Sequence, residues 1–393
     1  MRIVVAGASA AGLATVEALR RKGFDGDLTL LGADARLPYD RPPLSKQVLS
    51  GAWEPERAQL RTAEVLSSLE VQLLLDDPAS ALDAGARTVR TTSGRELAAD
   101  AVVVATGVRP RRFPRQDGRA GVHVLRTLED ALALQAGLRT AGRLVVVGDG
   151  VLGAEIAATA RGLGVDVTLA GPQKTPLESQ FGPFVGGLLT ALHTAHGVRL
   201  RLGTAVTGLD SRDGRVTGVR LDGGEVLPAD VVVVAIGSEP VTGWLEGSGL
   251  KCDNGVVCDS RCRAAPGVYA AGDVARWHHE GLGSLLRLEN RTNATEQGTA
   301  VAGAILGEDS PYVPVPYFWT DQYDVKIQVH GVLHPAAEVS VVDGDPAAGR
   351  FVARYRRDGA TVGVLGWNMP KQTRLRRPEV AETLTRVHCG GTV

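Results

Sequence analysis

Arg2-Ile-Val-Val-Ala-Gly7-Ala-Ser-Ala-Ala-Gly12-Leu-Ala14 opens the chain, and Arg143-Leu-Val-Val-Val-Gly148-Asp-Gly150-Val-Leu-Gly153-Ala-Glu155 repeats its layout. Each is an apolar strand, a glycine turn and the start of a helix. Each copy is closed by a matching phrase, Ala99-Asp-Ala-Val-Val-Val-Ala-Thr-Gly107 in the first and Ala229-Asp-Val-Val-Val-Val-Ala-Ile-Gly237 in the second. One strand–turn–helix of this kind is a weak signal. Two, each with its own closing strand, imply two dinucleotides held by one chain.

A pyrophosphate is anionic and needs donors at close range. A helix N-terminus offers free N–H groups and a partial positive charge. Glycines are required because a Cβ blocks the turn or the approach of the phosphates. Gly148, Gly150 and Gly153 satisfy the full pattern, whereas Ser9 stands at the middle glycine of the first copy, between Gly7 and Gly12. A Ser hydroxyl supplies a donor of its own. An acid about 20 residues on takes the adenosine ribose hydroxyls. Asp34 fits that place in the first unit, its other reading being a surface turn residue. In the second unit the strand ends at Gly171 with no acid, and Asp166 lies at its wrong end. Further on, Tyr269-Ala-Ala-Gly272-Asp273 runs a strand into Gly-Asp. Asp273 is placed either to accept hydroxyls of a bound nucleotide or to cap the next helix.

The chain has 393 residues, enough for two or three domains. Hydrophobic residues make up 44% and charged residues 22%, an ordinary globular balance. A net charge of −1 argues against a nucleic-acid binder. Apolar runs are strand-length, too short for a membrane span. The first strand follows Met1 directly, which leaves no room for a secretory signal, so a cytoplasmic protein is expected. Cys252, Cys258 and Cys262, spaced C-x5-C-x3-C, match no standard zinc pattern. With Cys389 they read as structural, and no metal site is expected.

The first unit is expected to span residues 1–114, the second 115–238. The predicted elements are strand Arg2–Ala6, helix Ala10–Lys22 and strand Asp27–Leu31, then strand Leu144–Val147, helix Leu152–Leu163 and strand Asp166–Ala170. Alternating residues with turn glycines before each closing strand predict small antiparallel hairpins. The prolines of Leu37–Lys46 predict a fixed loop. Beyond Glu239, short strands at Cys252–Asp259 and Gly267–Asp273 and a helix at Asn293–Leu306 are expected to return to the first unit. That makes residues 239–311 part of a discontinuous first domain. Residues 312–393 read as an α+β domain rich in strands.

Three further phrases carry a resemblance: Pro38-Tyr-Asp-Arg-Pro-Pro-Leu-Ser-Lys46, Thr292-Asn-Ala-Thr-Glu-Gln-Gly298 and Val315-Pro-Tyr-Phe-Trp319-Thr-Asp-Gln-Tyr-Asp324. With the two fingerprints, the chain resembles the FAD-dependent NAD(P)H:ferredoxin reductases of cytochrome P450 and aromatic-ring dioxygenase systems, of the rhodocoxin and putidaredoxin reductase type. The resemblance covers nearly the whole chain. It implies a glutathione-reductase-like α/β fold: two Rossmann-type dinucleotide-binding domains, one inserted in the other, and a C-terminal α+β domain. It also implies a monomer or weak homodimer.

Carried over by position, the resemblance implies that Gly7, Ser9, Ala11 and Gly12 hold the FAD pyrophosphate and Asp34 the adenosine ribose. Arg41 and Arg126 lie on the phosphate or adenine side, Ala79 against the adenine, Thr106 and Gly107 at the adenosine end. Lys46 lies beside the flavin, and Gly272 and Asp273 meet the ribityl chain. Glu155 pairs with that lysine, and Trp319 sits at the flavin edge. Gly148, Gly150, Gly153 and Gly237 belong to the NAD(P)H site. Two departures stand out. Asn290-Arg291 replaces the family's His-Trp, placing a cation near the ring. Gly171 replaces the acid that favours NADH, and Lys174 is then within reach of a 2′-phosphate, which permits NADPH.

No cysteine lies near Arg41–Lys46, where the disulfide and peroxide reductases of this fold carry theirs. Electrons must therefore leave for an external acceptor, and an iron–sulfur ferredoxin takes them one at a time. A nucleotide-binding signalling protein resembling apoptosis-inducing factor and a direct NAD(P)H oxidase are the competing readings. Two basic runs, Arg109, Arg111, Arg112 and Arg115, and Arg374, Arg376 and Arg377, are candidates for steering an acidic ferredoxin. For each run taken alone, a solvated face is the stronger reading.

Overall fold

The computed structural model describes residues 1–114, 116 and 118–389, with side chains through residue 385. Arg115 of the first basic run and the Cys389 side chain lie outside the described residues. Strand β1 (Arg2–Ala6) leads into helix α1 (Ala10–Arg21) and then strand β2 (Asp27–Leu31). β1 pairs in parallel with β2, Ile3 opposite Leu28, and on its other side with β3 (Ala101–Val104), Ile3 opposite Ala101. Ile3, Val5, Leu30 and Val103 are fully buried. A parallel strand covered on both faces needs such an unbroken apolar run, and these sequences supply it.

The second copy builds the same unit from β4 (Arg143–Val147), α2 (Val151–Gly162) and β5 (Asp166–Gly171). Helix α3 (Glu178–Ala195) follows, kinked at Gly182 just before Pro183. Strand β6 (Val231–Val234) closes the unit, and β4 lies between β5 and β6 with Leu144 opposite Val167 and Val231.

The chain then returns to the first sheet. Strand β7 (Val268–Ala270) pairs in parallel with β3. Helix α4 (Arg291–Ile305) lies along α1 closely enough that a Cβ on Gly298 would meet Ala11 O at 2.5 Å. The expected strand at Cys252–Asp259 is confined to Val256–Cys258. The expected strand at Gly267–Asp273 stops at Ala270, because Gly272 takes a φ of 76° and opens a 3-10 turn over Gly272–Val274. Asp273 therefore sits on a tight turn beyond the strand. The expected proline loop is in part a 3-10 turn, Pro42–Ser45. Prolines are tolerated in a first helical turn, where the missing N–H has no partner to lose. Each expected hairpin is three-stranded: Ala79–Asp83, Thr88–Thr91 and Glu96–Ala98 in one unit, Val206–Arg212, Arg215–Leu221 and Val226–Pro228 in the other.

Strand β8 (Tyr317–Gln322) opens a five-stranded antiparallel sheet that continues to Ala360–Trp367. Phe351, Tyr355 and Trp367 of this sheet share one core with Phe181, Val185 and Leu189 of α3. The Tyr355 hydroxyl, buried in that core, donates to Phe181 O at 2.7 Å. β8 is thereby seated against the second nucleotide unit. Among the described residues no helix is long and apolar enough to cross a membrane.

The α1–α4 seam makes a direct test of this packing. Replacing Gly298 with Val should cost about 1–3 kcal/mol, as overpacking does where backbone stands opposite. Denaturant unfolding of the two proteins measures it, and an unchanged midpoint would show that the helices separate without cost.

Candidate functional site

The two glycine turns have the same geometry. Gly7 has φ 128° and a Cβ there would lie 2.1 Å from Ala105 O; Gly148 has φ 123° with Ala235 O at 2.2 Å. One turn on, a Cβ at Gly12 would lie 1.9 Å from Gly7 O, and at Gly153 1.8 Å from Gly148 O. Only glycine lets each turn close on its third strand and its helix. Ser9 and Gly150 stand at the N-caps of α1 and α2, and neither helix receives a side-chain cap. Their first N–H groups stay open for an anion.

A cavity of about 1300 Å³ runs past both turns. Gly7, Ser9, Ala11, Asp34, Ala79, Thr106 and Gly107 line its first part; Lys46, Gly150, Glu155, Gly237 and Trp319 line its far part. Arg41, Arg126, Gly272, Asp273 and Arg291 line the stretch between. Gly12, Gly148, Gly153, Gly171 and Lys174 are not on its wall; the first three shape the turns behind it.

Half-buried cations dominate the wall near the first turn. Arg41 donates from Nη1 to Ser9 Oγ and from Nε to Arg126 O at 3.2 Å. Ser9 thus accepts from the guanidinium and keeps its own proton free to donate. Burial, helped by the charge of Arg126, pulls Arg41 down to about 10. Arg126 Nη2 meets Asp273 Oδ2 at 3.3 Å, and burial holds the Asp273 carboxyl above its ordinary range. Two guanidinium groups facing one carboxylate leave the wall with a surplus of positive charge. Asp34 accepts from the Tyr39 hydroxyl at 2.6 Å and from Arg36 N at 3.1 Å. Thr106 is turned outward to donate to Val241 O at 2.9 Å. Arg291, the cation that replaces an aromatic, is paired with Asp40 and bonds Thr295. The charge of Arg291 is thus met by Asp40. The charge of this wall and the Cβ-free turn at Gly7 and Gly12 fit FAD.

The far part is organised around one carboxylate. Lys46 Nζ lies 2.7 Å from Glu155 Oε2, with the Glu155 side chain buried and that of Lys46 13% exposed. The Ser45 hydroxyl donates to the same oxygen at 2.6 Å, and the Thr320 hydroxyl donates to Oε1 at 2.8 Å. Behind Thr320, Gln322 Nε2 donates to Thr320 Oγ1 at 3.4 Å, and Gln322 Oε1 is 2.9 Å from His193 Nε2. Burial pushes His193 down to about 4, so the ring is neutral at ordinary pH and its Nε2 proton goes to Gln322. Its Nδ1 then accepts from the Tyr323 hydroxyl at 3.2 Å. Every hydrogen in the chain points towards Glu155. Ser45, Thr320, Gln322 and His193 were not singled out from the sequence. The first three had a signal: Ser45 precedes Lys46, and Thr320 and Gln322 alternate with Trp319 along a strand, hence on its other face. His193 had none.

In the second unit, Asp149 Oδ2 accepts from Gln173 N at 2.8 Å and Oδ1 from Gln173 Nε2 at 2.7 Å, beside Gly171. Lys174 is exposed on the following loop. Among the described residues no group of His, Cys, Asp and Glu has the geometry of a metal site. Cys258 and Cys262 are buried thiols, burial pushing Cys262 up to about 12.

Residues 1–298 match the model of the family described as pyridine nucleotide-disulphide oxidoreductase, and residues 317–385 match one described as reductase C-terminal. Rhodocoxin reductase of Rhodococcus erythropolis is 35% identical over 373 residues, 94% of this chain and 87% of the relative. The ferredoxin reductase component of chlorobenzene dioxygenase from a Cupriavidus species is 37% identical over 371 residues, 94% and 90% of the two chains. The crystal structure of a covalent putidaredoxin reductase–putidaredoxin complex superposes with a TM-score of 0.92 at 32% identity, covering 97% and 93%.

Thr320 tests the charge cluster without touching the cavity wall. Thr320→Val keeps the shape but removes one donor from a buried carboxylate, which should cost about 1–3 kcal/mol. Thr320→Ser should recover most of it. Denaturant unfolding of the three proteins measures both, and equal stability of Val and Thr would mean that Glu155 does not depend on that donor.

Proposed function

We infer that this chain, which belongs to the pyridine nucleotide-disulphide oxidoreductase family, is an FAD-dependent NAD(P)H:ferredoxin reductase. Its acceptor is an iron–sulfur ferredoxin that serves a cytochrome P450 or an aromatic-ring dioxygenase. The observation that carries the reading is the Lys46–Glu155 pair on a single cavity that touches both glycine turns. No cysteine lines that cavity among the described residues, so the electrons have no thiol to go to. FAD held by these residues would supply the exchange between a two-electron hydride donor and a one-electron acceptor.

The chain's own residues bind, orient and tune. Gly7, Gly12 and the open N-terminus of α1 receive the FAD pyrophosphate, with Arg41 and Arg126 supplying the charge and Ser9 a donor. Asp34 and Ala79 take the adenosine end. Asp273 and Gly272 face the ribityl chain. Lys46 places a cation beside the flavin that favours extra negative charge on the ring, and Glu155 fixes where that cation sits. Gly148, Gly150, Gly153 and the N-terminus of α2 receive the nicotinamide nucleotide, with Gly237 on the facing loop. Trp319 stacks on Tyr317 at 6.0 Å and covers the cavity where a partner approaches.

The second basic run suits the acceptor better than the first. Arg109 is paired with Glu239 at 2.7 Å and Arg112 also has a partner. Lys371, Arg374 and Arg377 line a hollow of about 610 Å³ together with Tyr317, the neighbour of Trp319. Free thiols at Cys252, Cys258 and Cys262 suit a reducing compartment, and we place the protein in the cytoplasm.

The purified protein should carry a flavin spectrum and reduce cytochrome c with NAD(P)H only when a [2Fe–2S] or [3Fe–4S] ferredoxin is added. Failure with every ferredoxin offered, or oxygen uptake at full rate without one, would sink the assignment. Arg374→Ala with Arg377→Ala should raise the KM for ferredoxin about three- to tenfold while leaving the KM for NADH in place. The effect should fade with added salt, since the Debye length drops to about 3 Å at 1 M. A salt-independent rate would exclude steering by this run.

A further inference from the structure

The end of β5 is where a nucleotide-binding unit of this kind places the acid that reads the adenosine ribose. Gly171 holds that position, but the position is not without a carboxylate. Asp149, between the first two glycines of the fingerprint, turns its side chain across to the strand end. A Cβ on Gly171 would lie 2.3 Å from Asp149 Oδ2, 2.4 Å from its Cγ and 2.8 Å from its Cβ. The space that a side chain at 171 would enter is already filled by the Asp149 carboxylate. Gly171 is thus the residue that the placement of Asp149 requires.

The carboxylate is fixed there. Asp149 is 4% exposed, and its oxygens accept from Gln173 N and Nε2. Gln173 Oε1 accepts in turn from Ser179 N at 2.6 Å, in the first turn of α3, and Gln173 O accepts from Gly203 N at 2.7 Å. Asp149 O accepts from Leu177 N at 2.9 Å. The loop from β5 to α3, which carries Lys174, is therefore tied to the phosphate turn at both of its ends. Among the described residues no Lys, Arg or His forms an ion pair with Asp149. Two N–H donors hold the carboxylate in place, and no cation neutralises its charge at the strand end.

We propose that Asp149 is the residue that sets nucleotide choice, supplying from the glycine turn the acid missing at Gly171 and favouring NADH over NADPH. The inference rests on the second unit binding the nicotinamide nucleotide. The charge of Asp149 acts directly: it repels a 2′-phosphate brought to the strand end, whereas a 2′-hydroxyl meets no such penalty. Lys174, exposed and one residue beyond the clamp, does not offset it.

The holoenzyme decides this with ferricyanide as electron acceptor and with titration of NAD⁺ and NADP⁺ followed by the flavin absorbance. Wild type should prefer NADH by tenfold or more in kcat/KM. Asp149→Asn, which removes the charge and little volume, should move the NADPH/NADH ratio of KM values and of Kd values towards NADPH by fivefold or more. Gln173→Ala loosens the loop without changing charge and should weaken both nucleotides alike, the ratio staying within about twofold. Parallel weakening in Asp149→Asn, or an equal shift in Gln173→Ala, overturns the proposal. So does a wild-type KM for NADPH at or below that for NADH, a result that needs no variant to fold. If wild type holds neither nucleotide while its flavin is present, the assignment of the second unit fails and takes this inference with it.

Discussion

A carboxylate and an ammonium taken out of water together must be compensated on all sides or they unfold what surrounds them. Glu155 is buried and Lys46 largely so, and the compensation comes from three separate lengths of chain. Ser45 and Lys46 belong to the first unit, Glu155 to the helix of the second, and Thr320 to the C-terminal sheet. None of these segments can move without stranding a charge. The pair therefore locks three bodies in one arrangement, and the common cavity exists because they are held so. Hydrophobic contact between the units, such as Phe351 in the core with Val185, supplies attraction but tolerates sliding. The ionic cluster supplies the register.

Much of this could be read from the chain. Val and Leu runs between a charged start and a glycine turn leave little choice but a buried parallel strand, and β1, β2 and β5 lie within a residue of where the pattern puts them. Boundaries after Glu239 were harder because the strands there are short and edge-like. Val256–Cys258 is three residues long, too short for alternation to speak. The proline segment shows the opposite limit: Pro42 and Pro43 exclude a long helix but are at home in one turn of a tight one.

The site was legible where a motif carries its own geometry and silent where partners meet through space. Glycine turns, Lys46 and Trp319 sit in recognisable phrases. The hydrogen bond between His193 and Gln322 joins residues 129 positions apart, and no local pattern announces it. The reading of Gly171 shows the same limit. Losing an acid looks like losing a charge until the fold shows that Asp149 occupies the place. Likewise Arg291 looks like an added cation until Asp40 is found beside it.

Helix α2 begins at the glycine turn of the second fingerprint and carries Glu155 five residues beyond Gly150. At about 1.5 Å per residue, that is a span of about 7.5 Å along a stiff rod. The helix is a ruler: its zero mark is a set of free N–H groups and its next graduation is the carboxylate that engages Lys46. Separation between the two is set by helical pitch, not by how a loop happens to close. One residue inserted between them would turn Glu155 by about 100° and face it away from Lys46. The spacing from Gly150 to Glu155 is thus as strict a feature of this chain as the glycines themselves.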